Sequence, residues 1–314
     1  RLTRTKNMQY IKWLADYKGS GRTAVTFGKF DGLHRGHQKL ISKVHELGEK
    51  EHISSVVCAF DMTPLWKEKN IVPQLLMVGE ERYEHVKTDV DYLIECPFTE
   101  SFRQVSAEDF IEKIIYQLFH AKYVVVGTDF NFGCEKRGDV KMLAEYADKY
   151  DYQLIVIEKE RYKDRIISST YVKEVVKEGN VGLAETLLGY PYTVEGVVEH
   201  GKKLGRTLGF PTLNIAWPEN KLVPAHGVYL CRVQIDGEEY PGIANIGIKP
   251  TVTEEKRLLI ESFLFGYSGN AYGKSAKIEL VEFRRPERKF AGVKELKEQI
   301  DGDIARGKEY FGIA

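Results

Sequence analysis

Apolar positions in the first half of the chain switch repeatedly between two periods. "TAVTFG" (23–28) and "ISSVVCAF" (53–60) are short β-rich runs, whereas "GHQKLISKVHELGEK" (36–50) sets Leu40, Ile41, Val44 and Leu47 on one helical face. The alternation continues with a strand near 91–95, an apolar-periodic helix near 107–119, "KYVVVG" (122–127), a helix near 139–149 and "YQLIVIE" (152–158). Unbroken Val/Ile runs separated by helices predict an α/β domain whose parallel sheet is covered on both faces. In such sheets, ligands sit beyond the carboxyl ends of the strands.

After about residue 190 the pattern changes. "YTVEGVVEHG", "GVYLCRVQIDGEEYPGIANIG", "RLLIESFLFG" and "SAKIELVEF" are β-rich segments separated by Gly, Pro and Asp-Gly turns. Asp236-Gly237 between two alternating segments predicts a tight hairpin. One amphipathic helix, about 292–306, closes the chain. This grammar predicts an antiparallel β-barrel with a closing C-terminal helix. Gly189 and Pro191 interrupt the helical pattern between the halves, so the expected domains are 1–187 and 188–314.

Composition narrows the class. The 314 residues suit two cores, and Lys+Arg and Asp+Glu both number 46, so no overall positive field draws the chain to nucleic acid. No apolar run approaches the roughly 20 residues of a membrane span. The four cysteines show neither a CxxC nor a disulfide-framework spacing. The expectation is a cytoplasmic enzyme with small-molecule partners, no nucleic acid, no membrane and at most a weak homo-oligomer.

The candidate chemistry begins in "TAVTFGKFDGLHRGHQKLI" (23–41). Gly28, Phe30, Asp31, His34, Gly36 and His37 crowd a glycine-rich turn where a helix starts. Glycines allow close backbone approach to a ligand, a helix start presents unpaired N–H groups, and imidazoles added there can cradle anionic oxygens. Metal binding and plain core packing are the competing readings of the two histidines; no HExxH or completing ligand set supports the metal.

Four other stretches carry chemistry. "VGTDFNFGCEKRGD" (126–139) follows a predicted strand, and "RIISSTYVKEVVKEGNV" (165–181) offers hydroxyls and a cation at a helix start, where plain N-capping is the alternative. "SGNAYGKS" (268–275) nearly spells a P-loop, but Ser268 replaces its first glycine and strand-like sequence follows where a helix is required. "HGKKLGRTLGFPTLNI" (200–215) combines permissive glycines, cations, and the oxygens of Thr212 and Asn214, which suit Mg²⁺.

The Gly28-x-Phe30-Asp31-x-x-His34-x-Gly36-His37 stretch resembles the HxGH signature of nucleotidylyltransferases, which attack the α-phosphorus of a nucleotide. With 126–139, 165–181, "GFPTLN", "NIGIKPT" (245–251), "IESF" (260–263), "YGK" (272–274) and "RRPERKF" (284–290) in order, the chain resembles bacterial bifunctional riboflavin kinase/FAD synthetases over essentially residues 20–305. The resemblance implies a Rossmann-like FMN adenylyltransferase domain followed by a riboflavin kinase barrel, with riboflavin, FMN, FAD and ATP as substrates and products and Mg²⁺ as cofactor. It further implies that His34 and His37 stabilise a triphosphate flanked by Gly28, Phe30, Asp31, Gly36, Ser168, Ser169, Thr170 and Lys173. Asp129 and Asn131 would then lie near flavin or adenine. In the kinase it implies ATP on Gly201, Lys202, Gly205, Arg206, Gly209 and Pro211, Mg²⁺ on Thr212 and Asn214, flavin near Arg285, and Glu261 as the base for the ribityl hydroxyl. Two positions depart from the family pattern: Lys173 replaces its arginine, and "FDMTP" (60–64) replaces Phe-Asp-Pro-His-Pro. Two rivals stay open, another nucleotidylyltransferase with a regulatory barrel and a non-enzymatic flavin-binding protein.

Overall fold

A computed structural model describes residues 7–200, 210–250 and 256–313. The chain divides into two compact units, Arg1–Ser169 and Thr170–Ala314.

The first unit is built on a six-stranded parallel sheet. Its strands are β1 (Gln9–Ile11), β2 (Thr23–Gly28), β3 (Ser54–Asp61), β4 (Tyr92–Pro97), β5 (Ala121–Gly127) and β6 (Gln153–Ile157), in the order β1-β4-β3-β2-β5-β6. The helix Arg35–Glu51 turns Leu40, Ile41, Val44 and Leu47 inward and packs on β2, β3 and β5, as its periodicity predicts. A second core gathers Val25, Phe27, Ile94, Phe110, Ile111, Phe119, Val124, Val126 and Leu143. Largely buried on both faces, the central strands β2, β3 and β5 carry apolar runs instead of alternation.

One predicted helix differs in kind. The 107–119 segment makes one α turn, Ala107–Asp109, and then winds as a π-helix over Phe110–Leu118. Phe119 N–H donates to Ile114 O at 3.0 Å, an i→i−5 bond that apolar spacing cannot distinguish from α winding.

The second unit opens at Thr170, within the helix Ser169–Lys177, and continues into the helix Val181–Leu188. Val181, Ala184, Leu187 and Leu188 are buried, and this helix packs on the first and last barrel strands. The barrel itself comprises β7 (Tyr192–Val197), β8 (Leu213–Ala216), β9 (Gly227–Ile235), β10 (Glu238–Pro250), β11 (Lys256–Leu264) and β12 (Ser275–Pro286), ordered β7-β12-β9-β10-β11-β8. All its pairings are antiparallel, and a bridge between Glu199 and Asn214 joins the chain beyond β7 to β8. Asp236 (φ 57°) and Gly237 (φ 81°) make the predicted tight hairpin. The near-P-loop at 268–275 runs straight into β12, so no helix N-terminus follows it.

Side chains alternate across the barrel wall. Tyr229, Cys231, Val233, Ala244, Ile246, Ile260, Ser262 and Ile278 are buried on the inside. On the outside, Leu230, Ile243 and Phe265 pack with Ile304 and Phe311 of the closing helix Val293–Phe311. A Cβ at Gly307 would lie 2.9 Å from Phe265 Cζ, so glycine permits this close approach.

Candidate active sites

The first cradle forms where β2 ends. The sheet order reverses at this strand, with β3 and β4 on one side and β5 and β6 on the other. The crevice beyond β2 and β5 is therefore a topological switch point. Gly28 closes β2, and the following turn is left-handed at Phe30 (φ 50°), Gly32 (φ 80°) and Leu33 (φ 37°). For Phe30 and Leu33 this conformation costs about 1–2 kcal/mol each. Tertiary contacts hold it: Phe30 is fully buried, and Asp31 Oδ1 accepts from the backbone N–H of Leu76 (2.8 Å) and Met77 (3.4 Å).

That turn delivers His34 to the N-cap of the helix Arg35–Glu51. The rings of His34 and His37 stack with centroids 3.7 Å apart, and Phe30 lies 5.2 Å from His37. A Cβ at Gly36 would come within 3.1 Å of His34 Cε1 and 3.2 Å of its Nδ1, so glycine makes room for the imidazole. The Nδ1 atoms of both histidines are buried without a hydrogen-bond partner among the described residues. Burial pushes the His34 imidazole down to about 4, with the Asp31 charge opposing. Burial, helped by His34 and the Arg82 guanidinium, holds His37 well below its usual value. Two neutral imidazoles with idle nitrogens beside unpaired helix N–H groups suit anionic oxygens.

The remaining predicted residues of this cradle divide. Ser169 Oγ donates to Asp31 O at 2.8 Å, tying the Ser168–Ser169 segment to the turn. Asp129 and Asn131 follow β5, the strand beside β2; Asn131 Nδ2 donates to Asp129 O at 2.7 Å and Asp129 pairs with Lys159 at 2.6 Å. Thr170 and Lys173 lie on the helix Ser169–Lys177 within the second unit, Thr170 exposed and Lys173 half-buried. In the "FDMTP" segment, Asp61 Oδ1 accepts from Thr63 N–H at 2.9 Å.

The second cradle is a row across the barrel. Asn214 opposes Glu261, Glu261 opposes Asn245, Asn245 opposes Val228, and Val228 opposes Arg285. Directly opposed residues of antiparallel strands share a face, and here it is the outer one. One step along that face, Ile243 and Phe263 begin the apolar patch under the closing helix. Asn214 is 5% exposed, and its Oδ1, like that of Asn245, has no hydrogen-bond partner among the described residues. Asn214 Nδ2 reaches Thr212 O at 3.4 Å, which brings those two predicted residues together. Arg285 is held by Asp303, with Nη2 2.6 Å and Nε 3.0 Å from Oδ2. Although burial opposes its charge, the Arg285 and Arg306 contacts keep the Asp303 carboxyl below its usual range. Pro211 is exposed, and Gly201, Lys202, Gly205, Arg206 and Gly209 lie outside the described residues.

Sequence reasoning missed Asn245 and Arg82. Asn245 opens the "NIGIKPT" segment, but its place beside Glu261 depends on strand register. Arg82 acts on His37 from 45 positions away, and no local spacing signals it.

Comparisons with known proteins identify two successive domains. A family model for FAD synthetase matches residues 17–171, and one for riboflavin kinase matches 188–311. The bifunctional riboflavin kinase/FMN adenylyltransferase of Buchnera aphidicola subsp. Acyrthosiphon pisum is 37% identical over 98% of this chain and 99% of that protein. Its namesake from Bacillus subtilis is 36% identical over 92% of this chain and 93% of that one. A crystal structure described as a macrolide-efflux protein from Streptococcus pneumoniae matches with a TM-score of 0.83 and 28% identity, covering 94% of this chain and 97% of that one. Among the described residues of the present chain, no helix is long and apolar enough to cross a membrane. Two domain models in series and relatives matched nearly end to end lead to one assignment: the chain belongs to the bifunctional riboflavin kinase/FMN adenylyltransferase family.

Proposed function

We propose how this chain divides its two reactions among its residues. It phosphorylates riboflavin to FMN with ATP, and it adenylylates FMN to FAD with a second ATP, releasing pyrophosphate.

In the adenylylation, an FMN phosphate oxygen attacks the α-phosphorus of ATP. That nucleophile is already anionic, so no general base is needed and rate comes from alignment and charge stabilisation. His34, His37 and the N–H groups of the helix start receive the triphosphate, with Gly28, Phe30, Asp31 and Gly36 shaping the turn. Ser168, Ser169, Thr170 and Lys173 flank the phosphates, and Asp129 and Asn131 border the flavin or adenine. The observation that carries this reading is the stacked His34/His37 pair, whose buried Nδ1 atoms have no hydrogen-bond partner among the described residues. Buried polar atoms are nearly always satisfied, and a bound polyanion would satisfy these.

In the kinase reaction the ribityl 5′-hydroxyl is a neutral alcohol, and Glu261 accepts its proton as the oxygen attacks the γ-phosphorus and ADP leaves. Gly201, Lys202, Gly205, Arg206, Gly209 and Pro211 hold ATP, and Arg285, fixed by Asp303, borders the flavin. Thr212 and Asn214 would hold Mg²⁺; the buried Asn214 Oδ1, unpaired among the described residues, is the hard oxygen such an ion takes. There Mg²⁺ supplies charge neutralisation on the transferring phosphates.

The functional boundary falls at 187/188, supported by a riboflavin kinase match that starts at 188. The enzyme works in the cytoplasm on small molecules, without nucleic acid or membrane, as a monomer or weak homo-oligomer. Incubation with riboflavin, ATP and Mg²⁺, resolving FMN from FAD, tests the reading. Glu261→Gln should block the first product from riboflavin, and His37→Ala only the second. Parental yields of both products in both variants would overturn it.

A further inference from the structure

Glu160 joins the two phosphate-facing segments of the first unit from an otherwise unremarked position. Its side chain is 15% exposed and accepts from Arg35 Nη2 at 2.7 Å and from Lys39 Nζ. Arg35 stands between His34 and Gly36, and Lys39 follows one turn later on the same helix face. Hydrogen bonding from Lys39 outweighs burial and, with the charges of Lys39 and Arg35, keeps the Glu160 carboxyl below its usual range.

The backbone of Glu160 is fixed as well. Its carbonyl accepts from Ile167 N–H at 2.9 Å, at the base of a hairpin pairing Tyr162 with Arg165 and Arg161 with Ile166. The exit strand of that hairpin runs into Ile167, 3% exposed, and then into Ser168 and Ser169. Ser169 in turn bonds Asp31 O at 2.8 Å. A ring of contacts therefore passes from the histidine turn through Arg35 and Glu160 to Ile167, Ser169 and back to Asp31.

Electrostatics makes the arrangement informative. A site tuned only for polyanion affinity would leave Arg35 and Lys39 uncompensated beside the helix start; here one carboxylate neutralises much of that field. The ion pairs add little stability, since their cations are 39% and 49% exposed and such pairs contribute about 0–1 kcal/mol. What they fix is relative position.

We propose that Glu160 is a positioning residue for FMN adenylylation, a strut between Arg35 and Lys39 on one side and the Ser168–Ser169 segment on the other. The strut rests on the reading of this cradle as the triphosphate site. It acts through the groups it holds and need not touch substrate. Phosphoryl chemistry that relies on alignment loses about 100-fold when a group moves by 1 Å.

The test uses the full-length chain with supplied FMN, and riboflavin-to-FMN conversion in the same preparation as internal control. Glu160→Ala should raise KM for ATP and lower kcat in FAD formation, together about 10- to 100-fold in kcat/KM. KM for FMN and the kinase rate should not change. Glu160→Gln keeps a hydrogen-bond acceptor without the charge and should fall between. Lys39→Gln removes one leg at an exposed position without disturbing the hairpin and should give a smaller change of the same kind. Unchanged ATP kinetics in Glu160→Ala would overturn the strut. So would a lower KM for ATP, which would make Glu160 a competitor of phosphate, or equal losses for ATP and FMN tracking a lowered melting temperature. His37→Ala separates the two levels. If it leaves FAD formation intact, the cradle reading itself fails; if it abolishes FAD while Glu160→Ala and Lys39→Gln are silent, only the strut fails.

Discussion

Asn214 and Glu261 oppose each other across β8 and β11, so their side chains leave the same outer face of the barrel. A carboxylate and a carbonyl oxygen with no hydrogen-bond partner among the described residues thus stand one strand apart, the pairing proposed above for the ribityl hydroxyl and the transferring phosphate. Asn245 flanks Glu261 on the opposite side, so that carboxylate sits inside a polar row.

That placement sets the expected cost of Glu261→Gln. A positioned base contributes about 10²–10⁴-fold, and a loose phosphoryl-transfer transition state favours the low end. FMN production should drop by about 100-fold or somewhat more, while supplied FMN is adenylylated at the parental rate. Chromatographic separation of the flavins measures both. FMN formed at full speed would make Glu261 an ordinary strand residue.

A second expectation concerns where the kinase can be cut. The helix Val181–Leu188 packs on β7 and β12, and a Cβ at Gly179 would lie within 3.1–3.3 Å of Tyr229, Ala225 and Phe283. A fragment beginning at 188 loses buried Val181, Ala184 and Leu187, each fully buried Val or Leu being worth about 1.5–3 kcal/mol. Fragment 170–314 should therefore melt about 5–10 °C above fragment 188–314, with both making FMN and neither making FAD. Equal melting temperatures would show that the two helices contribute nothing to the barrel.

Acid should weaken the first unit through His34. The group titrates near 6.5 when unfolded and near 4 when folded, so between those values the unfolded chain binds more protons. Stability is then full above pH 6.5, falls as pH drops toward 4, and loses nothing further from this group below that. The change amounts to about 3 kcal/mol. Denaturant melts of the full-length protein from pH 7 to 4.5 should show it, and His34→Gln should flatten the slope. A parental slope in that variant would assign the acid sensitivity elsewhere.

The two cradles were unequally legible in the sequence, for a physical reason. His34, Gly36 and His37 lie within one helical turn, so chain order already brings them together, and the sheet pattern predicts which end of β2 they occupy. Asn214, Glu261, Asn245 and Arg285 are brought into one row only through four strand registers, and a one-residue slip would send any of them to the other face. Glu160 meets Arg35 across 125 positions, and neither residue carries a local pattern that points to the other. The π winding of Phe110–Leu118 was equally hidden, because its apolar spacing also fits an α-helix. The three residues of β1 are too few to show any period.

Gly36 offers the sharpest test of the histidine geometry. Alanine normally favours a helix by about 1 kcal/mol over glycine, so Gly36→Ala should stabilise the helix if nothing else mattered. Its Cβ, however, would lie 3.1–3.2 Å from the His34 ring, which also stacks on His37 at 3.7 Å. The imidazole has to shift, and a displacement of a few tenths of an ångström at an alignment-dependent centre should cost about 10-fold or more in FAD formation. The kinase rate should stay at the parental value. Gly182→Ala supplies the control: it is also helical, a Cβ there meets nothing within 4 Å, and it should raise stability by about 0.5–1 kcal/mol with both activities intact. Paired kinetics and thermal melts on the two variants separate crowding from propensity. Full FAD synthesis by Gly36→Ala would mean that the position of the His34 ring does not matter to the reaction.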